Sequence, residues 1–156
     1  MNIILEKFNT PFETVPFDKI KVEDYLPAIQ EGIVLAKKRI EAIKKNSEPE
    51  SFKNVVEALE NAGLEVELAS TIFFNLHSAE TSEAMQSLAK EISPLITEYG
   101  NDISMDQELF LKIKKVWDNK SQFGLNGEQT MLLEKNYKSF VRNGALLSES
   151  DKEKLR

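Results

Sequence analysis

The sequence predicts an all-α fold, an antiparallel helical bundle of about six to seven helices with an extended N-terminal arm. Three observations carry that reading. Apolar residues recur at alternating steps of three and four along most of the chain, the stripe of amphipathic helices. No segment sustains the period-two alternation of a half-buried strand. Helix starts and stops punctuate the stripes at short intervals, and short connections make neighbouring helices antiparallel.

Residues 1–20 carry Pro11, Pro16 and several aromatics without helical periodicity, and read as an arm laid over the helical body. Phe8, Phe12 and Phe17 are its expected anchors, since an arm without apolar anchors is disordered. Leu26, Ile29, Ile33, Ala36, Ile40 and Ile43 form the first helical stripe. Pro27 is tolerable only in an opening turn, so regular helix is expected to start close to it.

Residues 46–50 form a turn, Ser51 is a good N-cap, and Phe52, Val55, Leu59 and Ala62 make the next stripe. Gly63 marks a bend or stop. Residues 64–79 read as a third helix, and the apolar run Ile72-Phe-Phe74 predicts contact on more than one side and the deepest burial of any element. Thr81 and Ser82 are candidate caps for a helix with Met85, Leu88, Ile92, Leu95 and Tyr99 on one face. Pro94 is expected to kink or restart it, because it removes one hydrogen bond and crowds the preceding turn.

A short helix from about Asp106 to Trp117 should bury Leu109, Phe110, Ile113 and Trp117. After a loop at residues 120–124, Asn126 and Gln129 have the spacing of a capping box opening a helix that buries Leu133, Tyr137, Phe140 and Val141. Gly144 suits the left-handed position that ends a helix, with Asn143 tolerating the approach to it. Ser148 and Asp151 then have capping-box spacing, with Asp in place of the usual Glu or Gln. A helix this short is marginal in water unless something follows it to pack on, so the chain is expected to be the front part of a longer polypeptide.

The 156 residues suggest one domain, large enough to bury roughly 70% of the surface of its unfolded form. Twenty basic against 26 acidic residues give a net charge of −6, which disfavours nonspecific nucleic-acid binding. The runs Lys37-Lys-Arg39 and Lys44-Lys45 lie among glutamates and read as a solvated face. The absence of cysteine excludes a disulfide framework, cysteine zinc sites and thiol catalysis. No hydrophobic run approaches the ~20 residues that span a bilayer. The opening residues lack the basic n-region and long apolar core of a signal peptide.

Candidate chemistry is sparse. His77 is the one histidine, and a catalytic zinc takes three protein ligands plus water, so His77 has no histidine or cysteine to share a metal with. Near a helix C-terminus it reads as an imidazole favoured by the helix dipole rather than as a base. The carboxylate pairs Glu65/Glu67, Glu48/Glu50 and Glu57/Glu60 read as solvated faces, since linear spacing cannot establish the cleft separation that glycosidase chemistry needs. Residues 124–127 are too sparse for a phosphate-binding loop. Phe73, Phe74, Phe110, Trp117, Tyr137 and Phe140 read as core, and Arg142-Asn-Gly144 as a helix stop. No catalytic, cofactor-binding or metal-binding residue is assigned.

Six segments together carry a family resemblance. They are Phe8-Asn-Thr-Pro-Phe-Glu-Thr-Val-Pro-Phe17, Ile20-Lys-Val-Glu-Asp-Tyr-Leu-Pro-Ala-Ile29 and Ser51-Phe-Lys-Asn-Val-Val-Glu-Ala-Leu-Glu60. Phe73-Phe-Asn-Leu-His-Ser-Ala-Glu-Thr81, Ile92-Ser-Pro-Leu-Ile-Thr-Glu-Tyr-Gly-Asn-Asp-Ile103 and Phe140-Val-Arg-Asn-Gly-Ala-Leu-Leu147 complete the set. In this order and at these intervals they resemble the N-terminal helical region of the zinc oligopeptidases, a family that includes thimet oligopeptidase, oligopeptidase A and bacterial peptidyl-dipeptidase, the last most of all. The resemblance implies a parent zinc metallopeptidase that cuts short peptides, with this region as one wall of a deep channel and the metal in the other half. The H-E-x-x-H helix that holds zinc in such enzymes is absent from these residues, so the chain alone is expected to bind no zinc and to be inert. The implied partners are the C-terminal catalytic half of the same polypeptide and oligopeptide substrates, with no nucleic acid and no membrane. The expected compartment is the cytoplasm, or the periplasm if a signal peptide has been removed. A free-standing helical protein-binding module and an oligomerising structural domain are the rival readings.

Overall fold

A 24-residue helix, α1 (Val22–Lys45), opens the helical part of the chain, with Glu23 and Asp24 in its first turn and Lys44 and Lys45 in its last. That charge order complements the helix dipole at both ends. The computed structural model describes residues 2–147 and Asp151. The expected helix start at Ser148 falls outside the described residues. Beyond α1 come a short turn of α-helix, α2 (Ala58–Glu60), then α3 (Leu64–Ala79), α4 (Glu83–Ser104), α5 (Gln107–Asp118) and α6 (Gly127–Arg142). The described residues contain no strand, and five of these helices are long. The all-α expectation is borne out, with five long helices where six to seven were foreseen.

The chain divides into two compact units. The first takes the residues through Lys38 together with Gly63–Thr97, and the second takes Arg39–Ala62 and the chain from Glu98 onward.

In the first unit, Tyr25, Ala28 and Ile29 of α1 pack with Ala69, Ile72 and Phe73 of α3 and Met85 and Ile92 of α4. The Tyr25 and Phe73 rings meet edge to face, with centroids 5.2 Å apart. The N-terminal arm joins this core through Ile4, which is 0% exposed and whose burial contributes about 1.5–3 kcal/mol. Asn2 fixes the approach: its Nδ2 donates to the Asp24 carbonyl at 2.7 Å, and its Oδ1 accepts from the Ile4 amide at 2.9 Å. Two of the three expected aromatic anchors point elsewhere. Phe8 packs against the core, but Phe12 is 97% exposed and Phe17 52% exposed.

Ser82 caps α4 through its hydroxyl, which accepts from the Met85 amide at 3.2 Å. The helix does not restart at Pro94; the 22-residue span outlasts the loss of one internal hydrogen bond. α3 is one-sided rather than the most buried element. It buries Val66, Ala69, Ile72 and Phe73 and leaves Leu64 and Leu68 in solvent.

In the second unit, Ile40, Ile43, Phe52, Val55, Val56, Ala62, Leu109, Phe110, Ile113, Val116, Leu133 and Phe140 form the core. Phe110 lies against Phe140 and Tyr137, and Trp117 stacks on Tyr137 at 4.9 Å with an angle of 4° between the rings. Rising numbers on α5 meet falling numbers on α6, so these two helices are antiparallel. Asn126 and Gln129 close the expected capping box at the start of α6.

Ser51 also closes a capping box, with Asn54, but the helix it opens is a π-helix over Phe52–Glu57. The Ala58 amide donates back five residues to the Lys53 carbonyl. The wider turn carries the adjacent Val55 and Val56, both buried in the core. α6 ends in a Schellman motif. The Ala145 amide donates to the Phe140 carbonyl at 3.0 Å and the Gly144 amide to the Val141 carbonyl at 3.2 Å, with Gly144 left-handed at φ 85°.

Candidate functional site

The densest array of titratable side chains lies in the second unit, in an open cleft between the end of α1, the 46–51 turn and α5. Glu41, Lys44, Lys45, Glu50, Glu108, Lys112, Lys114, Lys115 and Asp118 line it. Helix geometry sets the clustering: Glu41, Lys44 and Lys45 share one face of α1 at spacings of three and four, as do Glu108, Lys112 and Lys115 on α5.

Two ion-paired centres organise the cleft. Lys44 is 16% exposed and donates to Asp106 and to Glu41, each at 2.8 Å, with Glu108 at 3.4 Å. Hydrogen bonds to Asp106 and Glu41 push its ammonium well above the usual lysine range. Asp106 has a second task, because its Oδ1 caps α5 by accepting from the Leu109 amide at 2.9 Å. Glu50, 18% exposed, receives Lys115 at 2.8 Å and Lys112 at 3.4 Å. The Lys115 hydrogen bond holds its carboxyl below the ordinary glutamate range. Lys112 also donates to the Asn46 carbonyl at 2.9 Å, so the 46–51 turn is tied to α5 at two points.

These pairs correct two readings of the sequence. Lys44 and Glu50 are not solvated faces; beside the local Lys44–Glu41 pair, Asp106, Lys112 and Lys115 reach them from 62 to 65 residues away, invisible to local spacing. Chemically the cleft is a clasp. Its carboxylates and ammonium groups hold one another, and no histidine, serine or threonine is among the lining residues.

His77 sits in the last turn of α3, half-buried, with its ring 5.9 Å from Phe73. The surroundings are those of a packed helix-end histidine. Among the described residues no group of three or more His, Cys, Asp or Glu side chains is placed to hold a metal ion.

A second, shallower groove runs between the C-terminal half of α1 and the π-helical segment. Ala42, Ile43 and Ala58 form its apolar floor, and Arg39, Asn46, Asn54 and Asn61 its polar edge. Asn54 spends both ends of its amide on the capping box and the Pro49 carbonyl. Asn61 donates to the Glu57 carbonyl and Asn46 accepts from the Glu48 amide, which leaves the Asn61 Oδ1 and the Asn46 Nδ2 for other partners. Sequence reading passed over this groove, since its three asparagines belong to three separate segments and no motif joins them.

No family model matches the chain. Against known proteins, dipeptidyl carboxypeptidase from Escherichia coli is 33% identical over 156 residues, all of this chain and 23% of that protein. The chain is similar to the dipeptidyl carboxypeptidases over its whole length. The Salmonella typhimurium dipeptidyl carboxypeptidase is 32% identical over 155 residues, 99% of this chain and 23% of that protein. Oligopeptidase A from Escherichia coli is 22% identical over 135 residues, covering 86% of this chain and 20% of that protein. The chain thus spans under a quarter of the length of the curated peptidases it matches, and the resemblance to oligopeptidases read from its sequence is borne out.

Proposed function

We propose that this chain is the N-terminal helical domain of a zinc metallopeptidase that hydrolyses short peptides, that it forms one wall of the substrate channel, and that it is inert alone. The observation that carries the reading is the 33% identity to a dipeptidyl carboxypeptidase along the whole of the chain. Zinc and the water-activating groups belong to the C-terminal catalytic half of the same polypeptide in this reading, which is in keeping with the lack of a ligand set among the described residues.

The wall's part is admission. A helical wall beside a zinc centre excludes folded proteins and accepts extended oligopeptides. The asparagine-edged groove suits that part: amide side chains offer both a donor and an acceptor, the two groups a peptide backbone presents at every residue. Among the described residues no helix is long and apolar enough to cross a membrane. We place the parent enzyme in the cytoplasm, or in the periplasm if a signal peptide is removed, with no nucleic-acid partner.

The test is the mass of the native protein in its source cells, read with an antibody against this chain, followed by sequencing past Arg156. A polypeptide several times heavier than 17.8 kDa that carries H-E-x-x-H is the expected result. The purified 156-residue chain, supplied with zinc, should release no dipeptide from a short peptide. A native mass of 17.8 kDa, or turnover by the isolated chain, overturns the proposal.

A further inference from the structure

The N-terminal arm carries its least expected feature at Phe12. The side chain is 97% exposed, and the backbone is left-handed there (φ 59°) and at Glu13 (φ 55°). Left-handed geometry strains a residue with a Cβ, and for a bulky aromatic it is an outlier. Such strain persists only where the surroundings over-determine it.

Here they do. Pro11 fixes the turn's first φ, and the Glu13 amide donates to the Thr10 carbonyl at 3.0 Å. The Thr10 hydroxyl donates to the Thr14 carbonyl at 2.5 Å, and the Thr14 hydroxyl donates to the Pro11 carbonyl at 3.1 Å. Lys7 pairs with Glu13 at 2.8 Å. On the far side of the turn Pro16 is buried, and Phe17 again stands half in solvent. The arm is therefore a braced turn that presents one aromatic almost wholly to water, with a second aromatic five residues on. Among the described residues no apolar partner covers the Phe12 ring.

We propose that Phe12, supported by Phe17, is an aromatic plug that seats in an apolar pocket on the remaining part of the same peptidase polypeptide. The proposal rests on the peptidase reading above. The occupant follows from length: the relatives carry more than three-quarters of their residues outside the part matched here, and that remainder is the surface available to the arm. A rigid aromatic held ready in its bound conformation is what a buried anchor requires, because the ordering cost is met before contact.

Phe12→Asn separates docking from local stability by sign. Asparagine tolerates the left-handed backbone, so in the isolated chain the substitution should leave the thermal midpoint unchanged or raise it. In the longer polypeptide it should lower the midpoint by about 2 °C or more. Phe12→Leu, which keeps an apolar side chain, should recover part of that loss, and Phe17→Ser should reproduce a smaller one. Equal midpoints for the longer polypeptide with Phe12 and with Phe12→Asn overturn the plug while leaving the peptidase reading intact. So does a midpoint that falls equally in both contexts, which makes Phe12 a residue of the arm's own fold. A dimer of the isolated chain abolished by Phe12→Asn assigns the surface to a second copy and overturns it too. A native polypeptide of 17.8 kDa overturns the peptidase reading, and the plug with it.

Discussion

A Cβ placed on Gly32 of α1 would lie 3.0 Å from the backbone nitrogen of Val66 in α3. The carbonyl carbon of Glu65 would stand 3.2 Å away and Val66 Cγ2 3.3 Å away. Glycine is what lets these two helices of the first unit touch backbone to backbone.

Gly32→Ala should therefore destabilise the protein. Overpacking costs about 1–3 kcal/mol, against a gain of up to ~1 kcal/mol from replacing glycine inside a helix. Gly100 in α4 is the control, since a Cβ there meets nothing within 4 Å and Gly100→Ala should stabilise by about 0.5–1 kcal/mol. Urea unfolding of the two variants checks the pair; equal shifts would refute the close approach.

Asp106 both caps α5 and holds Lys44. Asp106→Ala should cost about 1 kcal/mol for the cap, plus the penalty of leaving a partly buried ammonium short of a partner. Asp106→Asn keeps the cap and loses only the charge, so its loss in thermal unfolding should be the smaller.

Glu50 makes stability depend on pH in a definite direction. Its carboxyl titrates below the ordinary glutamate range in the fold and within it when unfolded. The stabilisation is complete above about pH 4.3, the unfolded value, and drains away as pH falls through the folded value. Glu50→Gln should lower the unfolding midpoint at pH 7 and should match the wild type once both are compared well below pH 4.

Gly144→Ala should cost about 1–2 kcal/mol, because an L side chain is strained at φ 85°. The helix stop at Asn143 should fray with it. Amide exchange at Gly144 and Ala145, whose amides close the Schellman motif, should quicken more than exchange at Leu133.

The sequence displays what is local. The Asn126/Gln129 box, the Ser51 and Ser82 caps and the Gly144 stop each span at most a few residues, so spacing alone located them. Distances along the chain hid the rest. The Glu50–Lys115 contact joins residues 65 apart, and no linear pattern marks it. Of the arm's expected anchors Phe8 holds, while Phe12 and Phe17 face away, because aromatic identity says nothing about which way a turn faces; the smaller Ile4 and the Asn2 amide complete the attachment. The candidate groove was out of reach for the same reason, since a π-helix and a helix end build it together.

The π-helical turn at Phe52–Glu57 also sets a phase. Each residue of an α-helix advances its neighbours by about 100° around the axis. Deleting one residue from this turn would restore ordinary α-helical bonding, yet everything before it would swing by about that angle. Ser51 and Asn54 would swing with their cap intact, and Glu50 would rotate away from Lys112 and Lys115. The surplus residue works as a vernier, aligning a helix cap with an ionic clasp that regular geometry would leave out of step.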